Sequence, residues 1–241
     1  MKLYEEISKY YDYIFPTGKA QVNFLSKLIG DTPKDILDIA CGTGGYSLEL
    51  AKQGNKVTAI DLDDNMVEEL KTKALESNLN INGLTGNMLE LNYILNSQYD
   101  FAFCIGNSLV HLDGEKEIEI FLKGVKAILK KDGKLAIQII NYDRVLSQNV
   151  ASLPTIENAE VGLKFERIYR YDKDANKVFF KTILEVDGKE LENEIPLYPL
   201  LSHELIRLLH EAGYREIKLY GDFKESEFQK DDSYALVVVA S

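Results

Sequence analysis

A short apolar run that ends in a glycine-dense turn constrains the fold of this chain more than any other stretch. The run Ile36–Ile39 is followed by Ala40-Cys41-Gly42-Thr43-Gly44-Gly45, and a helical pattern begins directly afterwards. Glycine lacks a Cβ atom, so a glycine turn between a strand and a helix lets a ligand approach the backbone closely. The stretch therefore predicts a strand, a ligand-binding loop and a helix.

A second apolar run follows and ends in an acid. Val57–Ile60 leads into Asp61, sixteen residues after Gly45. In an open α/β sheet, a carboxylate at the tip of the neighbouring strand is placed to accept hydrogen bonds from a ribose diol. The two runs together predict a site for a cofactor that contains a nucleoside.

Two classes of such cofactor compete for this pattern. The dinucleotide fingerprint G-x-G-x-x-G matches at Gly42 and Gly44, but its third position is Ser47. Asp38, four residues before Gly42, is poorly suited to lie beside a pyrophosphate and well suited to lie beside the ammonium of a methionine moiety. The pattern favours S-adenosylmethionine, and a nicotinamide dinucleotide is the weaker alternative.

Further motifs follow in a fixed order over about residues 35–141. They are Asp38-Ile-Ala-Cys-Gly-Thr-Gly44, Asp61, Gly86-Asn87-Met88, Tyr99–Cys104 and Leu129–Leu135. In this order they resemble the motifs of class I S-adenosylmethionine-dependent methyltransferases. The resemblance implies S-adenosylmethionine as cofactor and a set of cofactor-binding residues: Tyr11, Asp38, Ala40, Cys41, Gly42, Gly44, Asp61, Leu62, Met66, Asn87, Met88 and Ile105.

One position in this set departs from the family pattern. The family commonly has aspartate where this chain has Asn87, and that aspartate accepts a hydrogen bond from the adenine amino group. Asparagine can accept the same bond through its carbonyl oxygen, without the charge. Tyr11-Asp12 resembles a pair that, in similar enzymes, lies on a segment folded over the cofactor.

The stretch after the fourth predicted strand concerns the methyl acceptor. Gly106-Asn107-Ser108-Leu109-Val110-His111-Leu112 is similar to the corresponding stretch of glycine and sarcosine N-methyltransferases. The resemblance makes Asn107 and His111 the candidate catalytic residues. Asn107, or alternatively Ser108, would orient the acceptor, and His111 would accept a proton from an ammonium group. A capping or packing role for His111 is an equal alternative.

Apolar periodicity predicts the architecture. Strands alternate with helices up to about residue 141, which indicates an α/β fold with a doubly wound, mostly parallel seven-stranded sheet. Asp132-Gly133 predicts a turn into a fifth strand that starts at residue 134. Extended runs at 164–171, 177–186 and 190–197, the last two joined by the hairpin signal Asp187-Gly188, then predict a small antiparallel β insert. We assign residues 1–150 and 200–241 to the cofactor-binding core and 151–199 to the insert. The insert is either a lid over the site or an oligomerisation ribbon.

Composition limits the partners. The 241 residues carry a formal net charge of −11, which disfavours nucleic acid. No apolar stretch approaches the ~18–20 residues of a membrane span, and no signal-peptide core is present. The two cysteines fit a reduced, cytoplasmic setting, and no cysteine or histidine spacing indicates a metal site. We expect a monomer or a homodimer.

The sequence therefore predicts a methyltransferase that acts on a small molecule, with nitrogen favoured over oxygen as the acceptor atom. Within enzymes, the alternative is a methyltransferase of RNA or protein. Outside enzymes, the alternative is a cofactor-binding protein that keeps the fold without catalysis.

Overall fold

Helices and strands alternate through most of the chain, as the apolar periodicity predicts. The computed structural model describes residues 9–241. Within these residues the helices are α1 (9–14), α2 (Lys19–Ile29), α3 (Gly45–Lys52), α4 (Asp64–Glu76), α5 (Leu91–Ile94), α6 (Glu115–Ile128), α7 (Tyr142–Ser147) and α8 (Ser202–Glu211). The strands are β1 (Asp35–Ile39), β2 (Lys56–Asp61), β3 (Ile81–Thr85), β4 (Tyr99–Cys104), β5 (Leu129–Ile140), β6 (Ser152–Asn158), β7 (Leu163–Asp172), β8 (Lys177–Val186), β9 (Lys189–Leu197), β10 (Ile217–Tyr220) and β11 (Ala235–Ala240).

Seven strands form the main sheet, in the order β10-β11-β5-β4-β1-β2-β3. Its pairs are parallel except those of β11, which runs antiparallel to both β5 and β10. A sheet covered by helices on both faces needs strands that are apolar throughout, and every residue of β11 is buried. The predicted doubly wound, mostly parallel sheet is confirmed.

Helices cover both faces of this sheet. On one face α6 contributes the apolar stripe expected from its sequence, with Ile118, Phe121, Leu122 and Val125 fully buried. On the other face, the buried residues Phe24 and Leu25 of α2 and Leu50 of α3 pack on the strands. The two layers hold the carboxyl ends of the parallel strands at one edge, where the connecting loops project.

The second sheet has four antiparallel strands in the order β6-β7-β8-β9. The predicted hairpin turn between β8 and β9 is present, because Asp187 and Gly188 both have positive φ, as a two-residue turn of type I′ requires. The predicted runs correspond to β7, β8 and β9. The edge strand β6 was not predicted; it contains Pro154, which lacks a ladder donor and is tolerated in a strand at an edge.

The sequence pattern placed a turn at Asp132-Gly133 and a strand from residue 134, and this detail was wrong. The strand β5 begins at Leu129, which pairs with Tyr99, and the register shifts before Lys134 pairs with Phe101. A Cβ atom on Gly133 would lie 3.0 Å from the carbonyl oxygens of Lys130 and Tyr99. A glycine is therefore required at this bulge inside the strand, because two backbone segments approach each other too closely for a side chain.

The helix α1 lies between the two sheets. Ile14 is buried in a cluster with Leu163, Phe165, Leu184 and Val186 of the second sheet. The adjacent ring of Phe15 meets that of Phe165 edge-on, with ring centroids 5.8 Å apart. The second sheet is thereby fixed against α1, near the loops of the main sheet.

Relief of strain at Ala40 provides a test of the loop conformation. Its φ of 58° lies in the left-handed region, which costs a non-glycine residue roughly 1–2 kcal/mol. Glycine at this position removes that cost, but it also makes the unfolded chain more flexible, which offsets part of the gain in stability. Ala40→Gly is therefore expected to raise the free energy of unfolding by about 1 kcal/mol in urea denaturation. Asn78→Gly is the control: Asn78 also has a positive φ, but asparagine tolerates this region, so a smaller gain is expected. A loss of stability in Ala40→Gly would contradict the assigned backbone.

Candidate active site

Three loops meet at the carboxyl edge of the main sheet. The strand β1 lies between β2 and β4, and the chain leaves these strands toward opposite edges of the sheet. Open α/β sheets bind ligands in the crevice that forms at such a point. The loops are the glycine loop (residues 40–44) after β1, the segment after β2 that starts at Leu62, and the segment 105–107 after β4.

The backbone of the glycine loop is fixed by hydrogen bonds to its neighbours. The amide of Cys41 donates to the carbonyl of Ile60 (3.1 Å), and the amide of Gly44 donates to the carbonyl of Cys41 (3.0 Å). The amide of Gly42 donates to Oδ2 of Asp61 at 2.8 Å. The acid at the tip of β2 therefore holds the glycine loop in place as well as facing the crevice.

A different group covers each glycine of this turn. A Cβ atom on Gly42 would lie 3.0 Å from the hydroxyl of Tyr11, and one on Gly45 would lie 2.0 Å from Oγ1 of Thr17. One on Gly44 would lie 2.0 Å from Cδ1 of Leu70, so Gly44 serves the packing of α4. The face of Gly42 is covered by Tyr11, one of the predicted cofactor contacts.

Two carboxyl groups lie beneath and beside this loop, Asp38 buried and Asp61 half-buried. Asp38 is 3% exposed, and its Oδ2 accepts a hydrogen bond from Oγ of Ser47 at 2.7 Å. Burial raises the pKa of Asp38 to about 7, the Ser47 hydrogen bond opposes this rise, and the charge of Asp61 adds to it. Burial also raises the pKa of Asp61, against the hydrogen bonds that it accepts from the backbone amides of Asp63 and Gly42.

No cation offsets these two charges in the part of the chain that the structure describes. Neither Asp38 nor Asp61 forms an ion pair within residues 9–241. A buried carboxylate without a cation is costly, because desolvation disfavours the charged form. The site therefore favours a ligand that brings positive charge, as the sulfonium and ammonium groups of S-adenosylmethionine do, over the anionic pyrophosphate of a dinucleotide.

The helix α1 is tied to the glycine loop. Oδ1 of Asp12 accepts a hydrogen bond from Oγ1 of Thr43 at 2.6 Å, and its Oδ2 pairs with the ammonium of Lys73 on α4. Burial, with the nearby charge of Asp61, raises the pKa of Tyr11, so its hydroxyl remains a neutral hydrogen-bond donor. Because Ile14 and Phe15 pack on the second sheet, α1 connects that sheet to the glycine loop.

The predicted adenine side lies beyond β2 and β3. Leu62 is 73% exposed beside Asp61, whereas Met66 is buried in α4. Asn87 caps a 3₁₀ turn at Met88–Glu90, because its Oδ1 accepts a hydrogen bond from the amide of Leu89 at 3.0 Å. A carbonyl oxygen has two lone pairs, so this cap leaves one for an adenine amino group.

The loop after β4 is held by a polar chain that reaches the second sheet. Asn107 has a φ of 72°; its Oδ1 accepts from the amide of Ile140 (2.9 Å) and its Nδ2 donates to the hydroxyl of Tyr142 (3.2 Å). The hydroxyl of Tyr142 also shares a hydrogen bond with that of Tyr169 on β7, and burial raises the pKa of Tyr142 to about 12. Asn107 is thus oriented by residues of β5 and α7.

Other predicted residues lie around this loop. Ile105 is buried in the apolar cluster that also contains Phe103 and Val237. His111 ends a 3₁₀ turn at Ser108–His111; its side chain keeps solvent contact, while the protein atoms around it lower its pKa by desolvation. A lowered pKa keeps the imidazole neutral near pH 7, as a proton acceptor must be.

Some of the predicted cofactor-binding residues lie close together in the structure, whereas others pack in the protein interior. Tyr11, Asp38, Cys41, Gly42 and Asp61 lie close together at the glycine loop, and burial raises the pKa of the Cys41 thiol. Gly44, Met66 and Ile105 lie in packed surroundings nearby.

Several residues of this region were missed in the sequence. In the glycine fingerprint Ser47 counts only as a missing glycine. Its position in the first turn of α3, nine residues after Asp38, is nevertheless a signal for the hydrogen bond that its hydroxyl donates to Asp38. Gln138, whose Oε1 accepts from the amide of Gly106 at 2.8 Å, and Tyr169 carry no local motif. Their roles depend on strand pairing over a long sequence distance.

The described part of the chain lacks the features of two other classes of protein, those that bind a metal ion through a cluster of side chains and those that cross a membrane as helices. Within residues 9–241, no group of three or more histidine, cysteine or acidic side chains is arranged to hold a metal ion. Nor does any helix of this part combine the length and apolarity needed to cross a membrane.

The chain is similar in sequence to known methyltransferases. A family model described as a methyltransferase domain matches residues 36–133. A glycine/sarcosine N-methyltransferase from Aphanothece halophytica is 27% identical over 215 residues, which cover 89% of this chain and 79% of that protein.

Solved structures share the fold. An S-adenosylmethionine-dependent methyltransferase from Clostridium acetobutylicum ATCC 824 has a TM-score of 0.84 at 19% identity, covering 99% of this chain and 98% of that chain. An amino pentose methyltransferase from Micromonospora echinaspora with bound S-adenosylmethionine has a TM-score of 0.63 at 14% identity, covering 99% and 90%.

The role of Asp61 can be tested against that of its neighbour Asp63. Asp61→Asn keeps the shape but removes the charge, so charge-assisted hydrogen bonds of about 1.5–3 kcal/mol are weakened and the Kd for S-adenosylhomocysteine is expected to rise roughly 10- to 100-fold. Asp63 caps α4 by accepting from the amide of Asn65 (2.8 Å), so Asp63→Asn is expected to leave the Kd unchanged. Calorimetric titration measures both values, and equal effects would refute the assignment.

The buried carboxyl of Asp38 predicts a pH dependence of stability without cofactor. The folded protein keeps this proton up to about pH 7, whereas the unfolded chain releases it near 3.8, so the group lowers stability progressively as the pH rises from about 4 to 7. A tenfold change in a proton-binding constant corresponds to about 1.4 kcal/mol. Asp38→Asn is therefore expected to match the wild type near pH 4 and to exceed it at pH 8 by on the order of a few kcal/mol in urea denaturation. A variant less stable than the wild type at pH 8 would contradict this.

Proposed function

The chain is an S-adenosylmethionine-dependent methyltransferase, and we propose that it transfers the methyl group to the nitrogen of a small molecule. One observation carries the proposal: α1 and the second sheet pack beside the loops that follow β1 and β4. Ile14 of α1 is buried in one cluster with Phe165, Tyr11 lies against Gly42, and Tyr169 of the same strand as Phe165 shares a hydrogen bond with Tyr142. A site that these elements cover suits a small acceptor better than a polymer.

The residues present fit the cofactor. Gly42 has no Cβ atom, so the hydroxyl of Tyr11 lies against its backbone, and Tyr11 would contact the cofactor beside the glycine loop. Asp61 would accept from the ribose hydroxyls, Asp38 would lie toward the ammonium group, and Asn87 would accept from the adenine amino group. When bound, S-adenosylmethionine supplies a methyl group on a positively charged sulfur, activated for displacement by a nucleophile.

The protein's part in the reaction is alignment and exclusion of water. Preordering of two reactants can contribute up to ~7–11 kcal/mol to lowering a barrier. Tyr11 would close the site over the glycine loop, and Asp12, through Thr43 and Lys73, would hold α1 in that position. The rigid polar chain of Asn107 and Tyr142 would orient the acceptor amine.

An amine acceptor must lose a proton before its lone pair can attack. His111 is the candidate to accept it, because its lowered pKa leaves the ring neutral at pH 7 and its side chain remains open to solvent. The relative from Aphanothece halophytica is a glycine/sarcosine N-methyltransferase, which supports nitrogen as the acceptor atom. The net charge of −11 supports a small molecule over nucleic acid.

The proposal is tested by matched acceptors that differ only in the nucleophile. Release of S-adenosylhomocysteine is measured with glycine and sarcosine, with glycolate as the hydroxyl counterpart of glycine, and with a wider panel of primary and secondary amines beside their alcohol counterparts. We expect turnover with at least one amine and none with its alcohol counterpart.

Bulk RNA and unfolded protein serve as competing acceptors in the same assay. Turnover only with alcohols would move the acceptor atom to oxygen, and turnover only with RNA or protein would overturn the small-molecule assignment. Binding of S-adenosylhomocysteine with no transfer to any acceptor would point to a cofactor-binding protein without catalysis.

A further inference from the structure

The two faces of the second sheet differ in how their charges are paired. On the outer face, cations of β7 and β8 pair with acids: Lys164 with Glu185 (3.1 Å), Lys181 with Glu192 (2.7 Å) and Arg170 with Glu194 (3.6 Å). Successive side chains of a strand point to opposite faces. The residues between these, which face α1 and the main sheet, form the inner face.

The middle of the inner face is apolar except for one row. Arg167 of β7 lies opposite Thr182 of β8, and Thr182 lies opposite Asn193 of β9. We call these three residues the polar row. On one side of it are Phe165, Leu184 and Leu191, and on the other are Tyr169, Phe180 and Ile195.

The residues on either side of Arg167 contact elements of the candidate site, which places the polar row beside that site. Phe165, two residues before it on the same face, packs against Phe15, which directly follows α1, and α1 is tied to the glycine loop. Tyr169, two residues after it, shares a hydrogen bond with Tyr142, the partner of Asn107. Arg167 therefore lies between the element that covers the cofactor loop and the element that orients the loop after β4.

The guanidinium of Arg167 has unused capacity. Its Nη2 donates to the carbonyl oxygen of Pro154 at 2.6 Å, while its buried Nε has no hydrogen-bond partner in the described structure. It forms no ion pair with an acid of residues 9–241. The other buried Nε of this kind belongs to Arg144, whose guanidinium lies over the ring of Tyr234 at 5.4 Å and so has an aromatic partner.

We propose that Arg167, with Thr182 beside it, binds a carboxylate of the methyl acceptor and so determines which amines are methylated. This inference rests on the proposed function, because it assigns the second polar group of the same acceptor. A guanidinium presents a planar fork of donors that matches a carboxylate, and a partly buried pair of this kind is strong. Such a site would also discriminate against amines that lack a carboxylate, because their binding would leave the Arg167 cation without an anionic partner.

The test uses acetate as a carboxylate probe and acetamide as its neutral counterpart. Each is titrated calorimetrically into the complex with S-adenosylhomocysteine, at constant ionic strength maintained with chloride. We expect acetate but not acetamide to bind the wild type. Arg167→Gln is expected to weaken acetate binding at least tenfold.

The matched control is Arg170→Gln, three residues away on the outer face of the same strand, which should bind acetate as the wild type does. Arg167→Lys keeps the charge without the fork and should restore part of the affinity. Unchanged affinity for S-adenosylhomocysteine in both Arg167 variants shows that they are folded, and if Arg167→Gln fails this check, Arg167→Lys alone decides.

Three results would overturn the proposal: equal binding of acetate and acetamide, wild-type affinity in Arg167→Gln, or the same loss in Arg170→Gln. The probe measures binding without methyl transfer. An Arg167-dependent acetate site in a protein that methylates no amine would therefore refute the proposed function while leaving this binding site established.

Discussion

The hydrogen bond from the amide of Gly42 to Asp61 is the contact on which the site depends. It joins the tips of two neighbouring parallel strands and fixes the glycine loop in a conformation with positive φ at Ala40, Gly42 and Gly44. The same carboxylate faces the crevice, so one side chain both shapes the loop and presents charge to a ligand. The contact of Tyr11 with Gly42, and through α1 the position of the second sheet, follow from that loop.

Electrostatic complementarity would give the proposed site its specificity. Asp38 and Asp61 are acids with raised pKa values and no cation partner in the described chain, and Arg167 is a cation there without an anion. A cofactor with positive sulfur and ammonium groups would stabilise the charged forms of the two acids. On the account proposed above, the acceptor's carboxylate would pair with Arg167. Each binding step would then remove a desolvation cost that the free protein bears.

The fold could be predicted from the sequence because its signals are local: apolar periodicity, the glycine turn and the Asp187-Gly188 hairpin. The contacts that complete the site could not be predicted from the sequence, because they join residues that are distant along the chain. Tyr169 meets Tyr142 only once the second sheet is paired, and the edge strand β6 carries a proline that weakens its pattern. An Asp-Gly pair is typical both of a turn and of a bulge, so the sequence alone does not distinguish a turn at Asp132-Gly133 from the bulge inside β5.

The central claim, that a small-molecule nitrogen receives the methyl group, is tested most directly by tracing the label from S-adenosylmethionine with a ¹³C methyl group. A cell extract is separated into small molecules and macromolecules, each fraction is incubated with enzyme and labelled cofactor, and the products are examined by proton–carbon correlation NMR. The account predicts enzyme-dependent N-methyl resonances in the small-molecule fraction alone. Label found on oxygen, or only in the RNA or protein of the macromolecular fraction, would contradict it.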